Sequence, residues 1–262
     1  MKTRPEIKAF ARESVAAQRG KAIMLELAFF GAAFGAGFVI GLLGLISPVL
    51  YGILFIAFIC VFMVVYVNAY GEHIKVYRRE PASVGAQFTG LKVNFWRKLG
   101  GVLWMELWIL IWSLLLIIPG IIKTLAYSMT VPILAEHTSV EARQALKISM
   151  KMTDGHKGKI FVFGLSFIGW FLLSSLPIII AWPLTFEIVG TELLIVPGML
   201  GVFLFACLLS LAFDVLYLFP YFYTAFMGLY TELRDKALRD GKITPQELGM
   251  APPSAHENII LN

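Results

Sequence analysis

Apolar residues run almost without interruption from Ala22 to Ile46, Val49 to Tyr70, Gly101 to Leu134, Ile160 to Trp182 and Leu193 to Tyr230. Most of these runs reach the roughly 20 residues that a helix needs to cross a hydrocarbon core about 30 Å thick. The period-two alternation of a membrane barrel is absent, so the pattern predicts helical spans. Between the runs lie polar segments with helical periodicity. Thr3 and Glu6 have capping-box spacing ahead of Ile7, Phe10, Ala11 and Ser14. Ser83 precedes Val84, Phe88, Leu91 and Phe95, and Thr138 and Glu141 precede Ala142, Ala145, Leu146 and Met152, opposite a stripe of Arg143, Lys147 and Lys151. Such amphipathic helices suit the headgroup interface, where an apolar face is buried and cations meet anionic phosphate.

Lysine and arginine set the orientation. They cluster at Lys2–Lys21, Lys75–Lys98, Arg143–Lys159 and Arg234–Lys242, and the positive-inside rule assigns all four clusters to the cytoplasm. The tips between them, Ser47-Pro48, Pro119-Gly120 and Pro183 to Pro197, carry no such charge and are expected outside. Only a reversal within Gly101–Leu134 satisfies this arrangement, and Pro119-Gly120 has the chemistry of a turn. The rival is a kinked single span. Each arm of the hairpin measures only about 24 to 27 Å, which leaves a re-entrant course or a thinned bilayer open. The expected architecture is an all-α polytopic bundle of about six membrane-inserted helices in three hairpins, at about 22–46, 49–70, 101–118, 121–136, 159–182 and 199–230. A single embedded domain then covers 1–242, followed by a flexible cytoplasmic tail, 243–262.

Composition agrees with lipid as the solvent: 58% of residues are hydrophobic, 15% charged, and the mean hydropathy is +0.78. The net charge of +5 flanks spans and reads as topology rather than nucleic-acid binding. The first run is too long for a cleaved signal and is expected to stay as an anchor. In it Gly31 and Gly35, and Gly37 and Gly41, have the spacing of close helix packing, for which a helix of the same chain is the expected partner.

Catalytic patterns are not found. His73, His137, His156 and His256 lie outside the spans without metal-ligand spacing, and Cys60 and Cys207 read as packed thiols. "DGHKGK" (Asp154 to Lys159) lacks the full phosphate-loop pattern and reads as a turn ending a helix. No metal, cofactor or enzymatic activity is expected. Ionisable residues inside apolar runs are the better pointers. Glu26, Glu106 and Lys123 lie near run ends, with Lys123 expected to snorkel outward, whereas Asp214 lies deep in its run. Asp214 requires protonation, a basic partner, or hydrogen bonds from Tyr, Ser or Thr of adjacent helices. The candidate intramembrane residues are therefore Asp214, Lys123 and Glu106, and the candidate headgroup contacts are Arg143, Lys147 and Lys151.

"IWSLLLIIPGIIKTLAYSMTVPILAEH", "EARQALKISMKMTDGHKGKIFVFGLSFIGW" and "YLFPYFYTAFMGLYTEL" resemble the bacterial multi-span family known as domain of unknown function 975. An Ile-Pro-Gly-Ile-Ile-Lys turn, an Ala-Leu-x-x-Ser-x-x-Met segment, a Leu-Ser-Phe-Ile-Gly-Trp stretch and a Pro-Tyr pair occur in the family's order. The resemblance covers most of Trp108 to Leu233 and implies a bacterial cytoplasmic-membrane protein, but carries no activity. Asp214 departs from the small residue expected there, and the resemblance does not extend to Pro183 to Pro197. More distantly, residues 135–160 are similar to membrane domains attached to glycerophosphodiester phosphodiesterases. The functional expectation is non-enzymatic binding or movement of a lipid or amphipathic peptide, with membrane lipids as partners. A structural subunit of a larger complex and an intramembrane lipid-modifying enzyme are the alternatives.

Overall fold

The computed structural model describes residues 1–189, 192–195 and 199–250, with the backbone alone for 186–189 and 192–195. The expected helical membrane architecture is present: among the described residues six stretches are long and apolar enough to cross a bilayer, Arg19–Gly44, Pro48–Tyr77, Phe95–Leu115, Ile117–Glu136, Lys157–Thr185 and Leu200–Arg239.

Helix α1 (Arg4–Ala17) starts where the sequence pattern places it, with the Thr3 amide donating to Glu6 Oε2 at 2.6 Å. Helices α2 (Arg19–Gly44) and α3 (Pro48–Tyr77) form the first hairpin. Its turn ends at Ser47, whose Oγ accepts from the Leu50 amide while Pro48 opens α3 without needing a donor. The amphipathic helix expected after Ser83 is broken into α4 (Ala86–Thr89), a 3₁₀ turn at Gly90–Lys92, and Asn94 at φ 54°. Gly90 lies so close to Asn68 that a Cβ would meet its amide at 2.7 Å.

The second hairpin joins α5 (Phe95–Leu115) to α6 (Ile117–Tyr127). The chain reverses at Leu116, which is extended (φ −159°, ψ 140°), rather than at Pro119-Gly120. Proline costs nothing in the first turn of a helix, where its missing donor has no partner, so Pro119 sits just inside α6. Gly120 lets the arms close: a Cβ there would lie 2.5 Å from Ser113 Oγ. Helices α7 (Thr130–Glu136) and α8 (Ala142–Thr153) follow, and α8 buries Ala145, Leu146 and Met152 as its spacing predicts.

The third hairpin consists of α9 (Lys157–Leu165) and α10 (Ile168–Thr185) against α11 (Leu200–Phe213). The apolar pattern did not anticipate the antiparallel strands β1 (Phe186–Val189) and β2 (Glu192–Ile195) at its tip, which pair Phe186 with Ile195 and Val189 with Glu192. A π-helical turn, Asp214–Leu218, connects α11 to α12 (Phe219–Arg239).

The buried core lies at one end of the molecule, where α1, α7, α8 and the ends of α3 and α12 meet around Ile7, Ile74, Ile133, Ile148, Met152 and Tyr230. This base holds residues from all four basic clusters. The Lys2 amide bonds Glu232 at 2.9 Å, so the described N- and C-terminal segments meet on one side. Ile243 and Leu248 are buried in the same core, so the chain is packed as far as 248 and the segment expected as a free tail is not free there; residues 251–262 lie outside those described. Away from the base the helices splay. Phe34 is 79% exposed and Leu45 85%, apolar surface suited to lipid. The expected intrachain packing at Gly31, Gly35, Gly37 and Gly41 is not found: a Cβ at any of them would meet nothing within 4 Å.

Candidate functional site

At the edge of the base, α6, α8, the start of α9 and the chain after α12 enclose a groove of about 580 Å³. Ser149 and Thr153 hydroxyls donate to the Ala126 carbonyl at 2.8 and 3.2 Å, and Ser149 Oγ accepts from the Met129 amide, which fixes α8 against the end of α6. Gly155, at φ 75°, lets the chain turn from α8 into α9, so "DGHKGK" is the expected turn. The groove is thereby lined by Lys123, Lys151, Asp154, Lys157 and Lys242 on its polar side and Ile122, Ala126 and Met150 on its apolar side.

Four ammonium groups face two carboxylates. Lys151 Nζ bonds Glu247 Oε1 at 2.5 Å; Lys242 donates to the Asp154 carbonyl at 2.9 Å, with the Asp154 carboxylate 3.7 Å away. The hydrogen bond from Lys151, and then that from the Thr244 amide, hold Glu247 below the usual carboxylate range. Lys123 lies over the Trp112 ring at 4.9 Å and the Tyr127 ring at 5.8 Å. Burial, then Lys159 and Lys242, push the His156 imidazole down, favouring its neutral form at the groove's rim. Excess cations beside an apolar wall can hold the anionic group of an amphiphile whose chain lies along Ile122 and Met150.

The groove unites two residues that the sequence treats separately. Lys123, expected near the outer end of its hairpin, stands with Lys151 in the base, because the reversal at Leu116 leaves it two turns down the returning helix. Arg143, from the same α8 stripe, lies instead over Trp104 of α5 at 5.0 Å, and Lys147 is exposed outside the groove. Glu106 is exposed midway along α5. Asp214 is remote from these residues: it opens the π-helical turn, and its Oδ1 accepts from the buried Ser174 hydroxyl of α10 at 2.5 Å, one of the three expected compensations.

Two polar clusters, the first half-buried and the second buried, escaped sequence reasoning. Glu136 Oε1 lies 2.7 Å from Arg78 and 2.6 Å from Arg234, and its Oε2 accepts from the Tyr230 hydroxyl at 2.6 Å. Glu26, read as a run-end residue, is buried 3.0 Å from His73 Nε2, out of line for a hydrogen bond, and His73 Nδ1 lies 3.4 Å from Thr224 Oγ1. Tyr66, Tyr70 and His73 share one face of α3 at helical spacing, the signal that could have drawn attention to the second cluster.

Comparison with curated proteins and with solved structures gives no match. A family model does match, at residues 114–237, which take in α6 to α12 and with them Lys123, Lys151, Lys157 and Asp214. It gives no support to the distant likeness to glycerophosphodiesterase membrane domains. The family it describes is Protein of unknown function (DUF975), and residues 114–237, just under half of the chain, are similar to it.

Proposed function

We propose that this is a non-enzymatic protein of the bacterial cytoplasmic membrane, with both termini cytoplasmic, that binds the anionic headgroup of a membrane lipid in the lysine groove. One observation carries the reading: four lysines from separate parts of the chain line one groove together with an apolar wall. A lipid suits it better than an amphipathic peptide, since the cations are gathered at one place rather than spread along a helix-sized track. Each lysine near an anionic surface contributes about 1 kcal/mol, so neutralising two of them weakens retention by roughly tenfold or more. Native mass spectrometry of the whole protein, wild type against Lys123→Gln/Lys157→Gln, with phosphatidylglycerol and phosphatidylcholine, tests this. Selective loss of the anionic lipid is expected; equal retention by both proteins refutes it. The alternative of a subunit in a larger complex is favoured by Gly31, Gly35, Gly37 and Gly41 of α2, where an added Cβ would meet no atom of the described chain within 4 Å.

A further inference from the structure

We infer that α5 and α6 form a re-entrant hairpin, which enters the bilayer from the side of the basic base, turns at Leu116 inside the near leaflet and returns. Its tip is then in contact with the acyl chains of one leaflet, and among the described residues the membrane is crossed by α2, α3, α9–α10 and α11–α12.

The shorter arm sets the limit. Lys123 lines the groove with Lys157, where the third hairpin leaves the base, and with Lys242 after the end of α12. The level of Lys123 is therefore the level at which the other spans enter the membrane. From Lys123 to Leu116 the helix covers about 10 Å at 1.5 Å per residue, however α5 is inclined. A hydrocarbon core is about 30 Å thick, so even with the reach of a lysine stem the tip stays in the near half.

Charges on the longer arm agree. Glu106 is exposed midway along α5; in a full crossing it would face lipid near the bilayer centre, whereas a shallow hairpin leaves it about 15 Å from the tip, at the interface. Arg143 reaches Trp104, half a turn further back, and Trp104 and Trp108 flank that depth as an aromatic collar. Beyond the collar no charged residue occurs from Leu107 to Ile122. The tip itself is a wedge: Leu114 is 78% exposed and Ile117 75%. The first hairpin ends in an equally exposed tip, with Leu45 85% exposed, but its arms are uncharged over about 27 Å (Leu27 to Gly44) and 36 Å (Pro48 to Gly71), far more than the roughly 10 Å from Lys123 to Leu116. This inference does not depend on whether the lysine groove binds lipid.

The test places single cysteines in the full-length Cys60→Ala/Cys207→Ala protein: Leu116→Cys and, as a second tip variant, Ile118→Cys, with Ser47→Cys marking the far side and Lys92→Cys the base side. A membrane-impermeant maleimide is applied to intact cells and to inside-out vesicles, and a bimane attached at each tip position is exposed to nitroxide-labelled lipids in reconstituted vesicles. Ser47→Cys is expected to react from one side and Lys92→Cys from the other. Both tip cysteines are expected to react from neither side, and bimane at the tip to be quenched by acyl-chain nitroxides more strongly than by headgroup nitroxides. Reaction of either tip cysteine from the Ser47 side, at a comparable rate, overturns the inference in favour of a full crossing. Reaction from the Lys92 side alone overturns it too, because the tip would then stand in water.

Discussion

Replacing Glu136 with Gln perturbs the point at which three helices of the base are tied together. The carboxylate of α7 is shared by Arg78 at the end of α3 and by Arg234 and Tyr230 of α12. Glutamine keeps the volume and one acceptor but leaves two guanidinium groups without their common counter-charge. Removing one member of a buried ion pair costs about 3 to 5 kcal/mol. The Glu136 side chain is 16% exposed and that of Arg234 12%, so solvent screening places the cost near the lower figure, about 3 kcal/mol. At roughly 2 to 4 °C per kcal/mol for a chain of this size, the melting temperature should fall by about 6 to 12 °C. The assay is thermal unfolding in detergent, followed by size-exclusion chromatography with fluorescence detection. Glu13→Gln is the control: its 2.9 Å bridge to Arg79 is largely exposed, worth under about 1 kcal/mol, so its loss should shift the melt by no more than about 4 °C. Adding Arg234→Met to Glu136→Gln should recover part of the loss, since one unmatched charge goes with it. A Glu136→Gln shift no larger than that of Glu13→Gln would show that this cluster does not hold the base together.

Four further outcomes are expected. Arg97, whose guanidinium donates to the carbonyls of Leu134, His137 and Val140, closes the end of α7, so Arg97→Met should lower the melt more than Lys92→Met on the same basic segment. Glu247 has a depressed folded pKa, so its contribution to docking the 243–250 segment is present above the ordinary carboxylate range and lost as pH falls through the lower folded value. Limited proteolysis near Gly249 should therefore accelerate below about pH 4 in the wild type, and Glu247→Gln should flatten that dependence. Asp214→Asn, which still offers Ser174 an acceptor, should fold in normal yield, and Asp214→Leu should not; equal yields would show that this hydrogen bond does not position α10 on the π-helical turn.

Hydrophobic periodicity was sufficient for the spans and their pairing, because lipid enforces uninterrupted apolar helices and charge has nowhere to go but the ends. The capping box at Thr3 and the turn at Ser47 were equally visible, each being local chemistry. What the sequence misplaced depended on depth. Pro119-Gly120 reads as a turn, but proline fits a helix's first residues as well as it fits a reversal, and only the backbone of Leu116 distinguishes the two. That small displacement moved Lys123 from the far end of a span into the base and hid its proximity to Lys151, Lys157 and Lys242. The Glu136 and Glu26 clusters were illegible for another reason: their members lie up to about two hundred residues apart in sequence, and pairing of that range leaves no periodic trace.

The distribution of packing bears on how such a protein could work. Tight side-chain contact is confined to the base, while the window of α2 that spans the membrane buries none of its residues within the chain and that of α3 buries 11%. Between α2 and α11 an apolar groove of about 640 Å³, lined by Phe30, Phe34, Leu208 and Leu211, opens along the membrane part. Helices in hydrocarbon gain nothing from the hydrophobic effect by approaching one another, so loosely paired hairpins are kept in register by the ends that water surrounds. The base thus does for these hairpins what a core does for a soluble domain. On the two readings proposed above, the lysine groove and the α5–α6 hairpin both lie where that ordered base meets the acyl chains. A lipid headgroup held by Lys123 and Lys157 would be fixed to the rigid part while its chains run beside the wedge formed by Leu114 to Ile118. Headgroup binding and depth of the wedge are then coupled through a single helix, α6, which carries Lys123 on one turn and Ile117 and Ile118 less than two turns away.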